Sequence, residues 1–461
     1  MRTPITNEDD SYLSFWQRVR EFAVPPAMIE TATARRRVGD WAGACATAGV
    51  DVDVDVRSLA RSHGWEIAAR VRADLRHFAP DLLRWHLPRV APDGLLRPGL
   101  TIALARYGPR DSRNRSDRAT SAQLVVRTAP AWADAGQRIS LALWDGSRCT
   151  GLHPHPRPNR RFRLDLHRHL WDARAVEELR MRSGAVVFVA DAHLDPALLE
   201  MVPEGCAVDR WAAEVGIMLR ADGRRTGPVR VRFGARQEVV VDLGSDGDDP
   251  PTLRITKGYP RGGLSALPIL PDAATWVLPD LRLIRAGAVS ADQLHPLVAS
   301  ALVPEWSPAD SSQGADRADG PRLVWCRGER HRIGLVDGVL AALDHDPAEI
   351  RREELLVALT GVALPCLRAI DRAHRHPDCL VDVRERLNHG DTAGALAVVE
   401  ALLGPDAVLR DGALRKELAA SAHRRITYGL FRAGLAGSGP PRIQPGRRRD
   451  HRAHPRNATF R

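Results

Sequence analysis

The stretch 161–195, RFRLDLHRHLWDARAVEELRMRSGAVVFVADAHLD, decides how the chain is read, because strand, helix and strand signals follow one another in it without interruption. Phe162, Leu164 and Leu166 alternate with Arg161, Arg163 and Asp165, the period of two that gives a strand one buried face. A helix is predicted next. Asp172 stands where a cap is needed, Trp171 and Val176 have the spacing of a hydrophobic staple, and Arg180 and Arg182 form a basic last turn before Gly184. Ala173, Val176 and Leu179 give it an apolar stripe. Residues 185–190 are continuously apolar, as in a strand covered on both faces, so the stretch reads as a right-handed βαβ unit.

Working outward, residues 10–87 carry helical patterns, with Leu59, Ile67, Val71, Leu75 and Phe78 on one apolar face, and an N-terminal helical region is expected over 1–90. Inside it, DVDVDV at 51–56 reads as a solvated acidic loop rather than an edge strand. A Pro- and Gly-rich boundary at 88–98 leads into a central mixed α/β domain, 98–260. Its strands are predicted at 101–107, 123–128 and 139–144, followed by the βαβ unit and an antiparallel meander at 214–221, 229–233, 238–243 and 253–256. A helical connector, 276–303, holds a capping box of Ser290 and Gln293. Residues 304–321, PEWSPADSSQGADRADGP, have linker composition. A hairpin plus C-terminal helical domain fills 322–435, starting its helices at the DPAE of 346–349 and drawing its core from Leu355, Leu359, Leu364, Leu367, Ile370, Leu387, Leu396, Val399 and Leu403. The tail, 436–461, is Pro, Gly and Arg and is expected to be disordered. The fold class is therefore α+β, multidomain. One echo stands out, Gly39-Asp40-Trp41-Ala42-Gly43-Ala44 against Gly390-Asp391-Thr392-Ala393-Gly394-Ala395, where one helix turns into another.

With 461 residues the chain exceeds one compact core. Its net charge of +10 invites a nucleic-acid reading, but of 67 basic residues only Lys257 and Lys416 are lysine, a skew that high-GC codon usage in a bacterium produces by itself. The tail carries seven arginines against one aspartate, so most of the excess charge sits there. No apolar run approaches the ~18 residues that span a bilayer, and MRTPITNEDD lacks the features of a signal peptide, so a cytoplasmic location is expected. Six cysteines without a CxxC pair argue for reduced thiols and give no signal for a structural zinc. The tryptophans, Trp16, Trp65, Trp85 and Trp171 among them, are read as core anchors.

The sharpest chemical candidate is a metal site of Asp165, His167, His169, Asp191 and His193. Ligands gather beyond the carboxyl ends of parallel strands, residues two apart on a strand share a face, and imidazole with carboxylate suits zinc. The run LDLHRHL at 164–170 is similar to the HxH-after-strand motif of the amidohydrolase and PHP-type metal hydrolases. That resemblance implies metal-dependent hydrolysis on a long βα barrel, although this chain continues into antiparallel hairpins. A phosphate-contacting patch of Arg447, Arg448, Arg449 and Arg452 is the nucleic-acid candidate. Walker, GxGxxG, GxSxG, HExxH and kinase motifs are missing from the sequence. The expectation is a non-catalytic cytoplasmic protein-interaction or scaffold protein, with unidentified protein partners, no cofactor and no membrane contact. A metal-dependent hydrolase using zinc or another divalent metal is the first alternative; a nucleic-acid binder through the tail is the second.

Overall fold

The computed structural model describes residues 6–108, 122–146, 153–184, 201–234, 237–244, 252–256, 263–303, 306, 322–326, 328–360, 363–375, 377, 379–404 and 408–435. The architecture is α+β, with helices at both ends of the chain and small sheets between them. No helix among the described residues is long and apolar enough to cross a membrane.

The acid–valine repeat is not a loop. Residues Val50–Asp53 (β1) form an edge strand, parallel to Ile139–Trp144 (β6), in a sheet ordered β1-β6-β5-β4 with Ala122–Thr128 (β5) and Thr101–Tyr107 (β4). Val50 is buried, while Asp51 and Asp53 are met by basic residues far along the chain. Between β1 and β4, Arg89–Val90 (β2) and Leu95–Leu96 (β3) pair as a two-stranded ribbon. One core joins this sheet to the N-terminal helices. Val71, Leu75 and Phe78 of the first region pack with Ile102, Leu124 and Ile139. Trp85 and Trp171 are buried there, but Trp65 is 78% exposed and anchors nothing.

The opening stretch departs from its reading. Residues Leu164–Leu166 and Arg168–Leu170 are 3-10 turns, and among the described residues of the stretch the strand-like contacts are two single bridges, Arg163 parallel to Ala103 and Asp172 antiparallel to Phe78. In such turns residues three apart share a side, and Leu164, His167 and Leu170 are buried on one, with His169 buried beside them. The Trp171 indole donates to the Leu164 carbonyl and Arg182 to that of Leu166, so side chains take carbonyls that a strand ladder would need. The first strand of the βαβ unit is thus not formed, and its second, 185–190, lies outside the described residues. Asp172 caps no helix; the helix is Glu177–Arg182, closing at Gly184.

The meander has three strands, Gly227–Arg232 (β7), Glu238–Gly244 (β8) and Thr252–Ile255 (β9), all antiparallel. Its expected fourth member, 214–221, belongs to the helix Val208–Ala221, whose Trp211, Val215, Met218 and Leu219 recur at helical spacing into a second core. A short apolar run does not distinguish strand from helix, and here the longer period decides. The capping box at Ser290 is present. The C-terminal part consists of Arg322–Cys326 (β10), Glu329–Val336 (β11) and Val339–Ala342 (β12), then helices around a third core that includes Ile333, Ile370, Leu387 and Val399. Leu355, Leu359 and Leu396 are not in that core: they are 69%, 85% and 42% exposed.

Candidate functional site

The two histidines of the HxH motif come together, but around a guanidinium. His167 and His169 are buried with ring centroids 5.6 Å apart, edge to face. Arg182, from the helix that follows them, donates NH2 to His167 Nδ1 at 3.1 Å and NH1 toward His169 Nδ1 at 3.4 Å. Its Nε and NH2 also form a fork on Glu214, at 2.9 and 2.6 Å, and Arg210 adds a 3.1 Å bond to the same carboxylate. Burial pushes Glu214 up, but the bond from Arg182 and the charges of both arginines oppose it, and the carboxylate is held below its ordinary value. Burial likewise takes His167 down to about 4 and His169 well below its usual value, so both rings are neutral. Arg182 therefore occupies the Nδ1 atoms of both rings, while His167 Nε2 is buried with no hydrogen-bond partner among the described residues. Asp165 is committed elsewhere, to Arg106 at 2.8 Å and Arg163 at 3.0 Å. Asp191 and His193 lie outside the described residues, as do Arg447, Arg448, Arg449 and Arg452.

Next to this cluster the same stretch walls a cavity of about 550 Å³, for which no motif in the sequence is a signal. Six separate parts of the chain converge on it. Tyr12 and Trp16 come from the first helix, Thr6–Arg18, His86 from the end of the helix Pro80–His86 with Arg89 at the start of β2, and Leu164 and Leu170 from the 3-10 turns with Phe162 just before them. Arg97, the pair Glu204 and Gly205, and the segment Asp272 to Arg282 complete it. The walls are mainly apolar and aromatic, yet Arg89, Arg97, Arg161, Arg163 and Arg282 face only Glu204 and Asp272 in charge.

Some of that charge is spent internally. Arg163 is paired with Asp165 and Asp222, and Arg161 with Asp272 at 2.5 Å. Arg282 lies 3.6 Å over the Tyr12 ring. Arg89 differs: it donates to the carbonyls of Gly94 and Arg84, while its Nε is buried with no partner among the described residues. Burial, with Arg84 alongside, pushes its guanidinium well below the ordinary value, so its charge lacks compensation. His86 is similar. Its Nε2 is buried without a hydrogen bond among the described residues, 4.0 Å from Asp280, and burial takes it down to about 3. Arg89 and His86 thus stand at the wall of an apolar cavity, with Arg89 Nε and His86 Nε2 themselves buried from it. The geometry suits a small anion on an apolar body. The chain matches no protein-family model, no curated protein and no solved structure.

Proposed function

We propose that the chain is a binding protein whose central cavity takes a small organic anion with an apolar or aromatic body. The observation that carries this reading is the charge on the wall of a mainly apolar and aromatic cavity, five arginines against two carboxylates. An anion there offsets the excess of positive charge on the wall, while Trp16, Phe162 and Trp276 cover its body. The test is thermal unfolding of the full chain with matched sets of aromatic carboxylates, aromatic phosphates and their neutral isosteres. A ligand at ~100 times its Kd raises stability by about 2.7 kcal/mol, and only anions are expected to do so. Ala273→Leu, which fills the cavity from its wall, removes the shift. Equal shifts from neutral isosteres, or a shift that survives Ala273→Leu, would rule the reading out.

A protein-contact role is supported by a different observation. On the helix Pro347–Thr360, Leu355, Leu356 and Leu359 are 69%, 48% and 85% exposed, an apolar ridge of the kind that marks contact surfaces. Replacing the three by Gln is expected to leave the melting temperature within a degree or so, since surface changes cost within ~0.5 kcal/mol, while abolishing association. Association that persists in the variant would count against this face.

A further inference from the structure

The C-terminal hairpin and helices bring together three side chains that are far apart in sequence. Cys326 ends β10, Cys366 is the second residue of the helix Pro365–Arg375, and His345 sits in the turn between β12 and the helix Pro347–Thr360. One ligand atom from each lies within 4.8 Å of the others. Both thiols are buried, at 1% and 0% exposure, and they are hydrogen-bonded to each other. The His345 side chain is 4% exposed. Its Nδ1 faces Glu349 Oε2 at 3.6 Å, and its Nε2 is buried with no hydrogen-bond partner among the described residues.

The unspent Nε2 separates this cluster from a chance meeting of cysteines. Burying an imidazole nitrogen without a partner is costly, and a ring with one nitrogen unspent, a carboxylate by the other and two thiols within reach has the arrangement of a metal ligand. A second ring, His331, lies flat against His345 with centroids 4.2 Å apart and fixes its plane. Zn–S bonds of ~2.3 Å in a tetrahedron put sulfurs ~3.8 Å apart, so the observed separations need only a small closure. We propose that Cys326, Cys366 and His345 bind a zinc ion that ties the three-stranded sheet to the two helices following it. On binding, each thiol loses its proton to solvent, both sulfurs and His345 Nε2 donate lone pairs to the metal, and the ring keeps its remaining proton on Nδ1, toward Glu349. The ion strengthens a thin joint, because among the described residues the apolar cluster here has Cys326, Leu364 and Cys366 as its buried members.

The test uses the full chain without a His tag, purified without chelator and analysed for metals by mass spectrometry. Stoichiometric zinc is expected. It is lost in Cys326→Ser, Cys366→Ser and His345→Ala and retained in Cys206→Ser, whose thiol lies outside the cluster. Because a ligand variant can fail to fold, the wild-type chain is also stripped and titrated with Co2+, which gives a thiolate-to-cobalt charge-transfer absorption if the sulfurs coordinate. Glu349→Gln, on the helix behind His345, weakens zinc roughly 10-fold in a chelator competition. Absence of both zinc and the cobalt signal overturns the proposal. So does a Cys326–Cys366 disulfide in place of metal, or zinc unchanged in the two serine variants.

Discussion

Buried neutral histidines give this protein a specific acid response. His86, His167 and His389 have values near 3, 4 and 3, in each case chiefly because burial penalises the imidazolium. In the unfolded chain each returns to the ordinary 6.5 or so and takes up a proton below that pH, while the folded chain does not. Their contribution is therefore fully present above about pH 6.5 and is lost as the pH falls toward 4. Three such groups predict a loss of about 4 kcal/mol between pH 7.5 and 5.5, read from urea unfolding at the two values. His167→Gln should remove roughly 1.4 kcal/mol of that difference, and a pH-independent midpoint would contradict the assignment. For His167 the charge of Arg182 adds to the effect of burial, while Glu214 opposes it.

Among elements, the recurrent GDxAGA corner is a capping device used twice. Asp40 and Asp391 precede the helices Trp41–Thr47 and Thr392–Leu403 with the same backbone angles, φ −79° and ψ 68°, and accept from the amides of Gly43 and Gly394 at 2.8 and 2.9 Å. Each is also bound by an arginine five residues earlier, Arg35 at 2.8 Å and Arg386 at 2.9 Å. A Cβ on Gly43 or Gly394 would meet the cap carboxylate at 2.0 or 2.1 Å, so glycine there makes room for the cap. Ordinarily Gly→Ala in a helix gains up to about 1 kcal/mol. Gly394→Ala should show no gain, because it displaces a cap worth about 1 kcal/mol. Gly429→Ala, in the helix Ala413–Arg432 with nothing within 4 Å of the new methyl, should stabilise by roughly 0.5–1 kcal/mol. Equal effects at the two sites in chemical denaturation would refute this account.

For the whole molecule, the question is how the C-terminal part is held. It has a core of its own, but it also reaches back. The buried Arg84 donates to the carbonyls of Ala23, Gln137 and His389 at 2.9, 2.7 and 2.7 Å, joining the N-terminal helices, the sheet and a C-terminal helix through one side chain. Arg18 pairs with Glu385 at 2.6 Å, Tyr428 donates to Asp51 at 2.6 Å, and Arg432 pairs with Asp53. Phe431 packs edge to face on Trp132. Trypsin cleavage within 307–321 should therefore leave two folded pieces that co-elute on size exclusion. Combining Phe431→Ala, a loss of about 3 kcal/mol, with Arg18→Glu should release them. Pieces that separate in the unmodified chain would mean that these contacts do not hold the parts together.

Much of the local structure was legible in the sequence because it depends on neighbours in the chain. The helices of 56–86, the strands of 101–144, three strands of the meander, the Ser290 capping box and the hairpin of 322–336 all follow from periodicity and turn chemistry. Tertiary structure decided the rest. The valines and aspartates of 50–53 became a strand because β6, Arg138 and Arg432 pair them, and the alternation at 161–166 became turns because Trp171 and Arg182 claimed its carbonyls. The HxH motif told of two nearby imidazoles but not of Arg182 between them and Glu214. The cavity draws on six separated segments, and the cluster of Cys326, His345 and Cys366 on three, none with a motif spacing. Hydrogen bonds close in sequence leave a local pattern, whereas a buried charge or a ligand set assembled across the fold leaves none until the chain has folded.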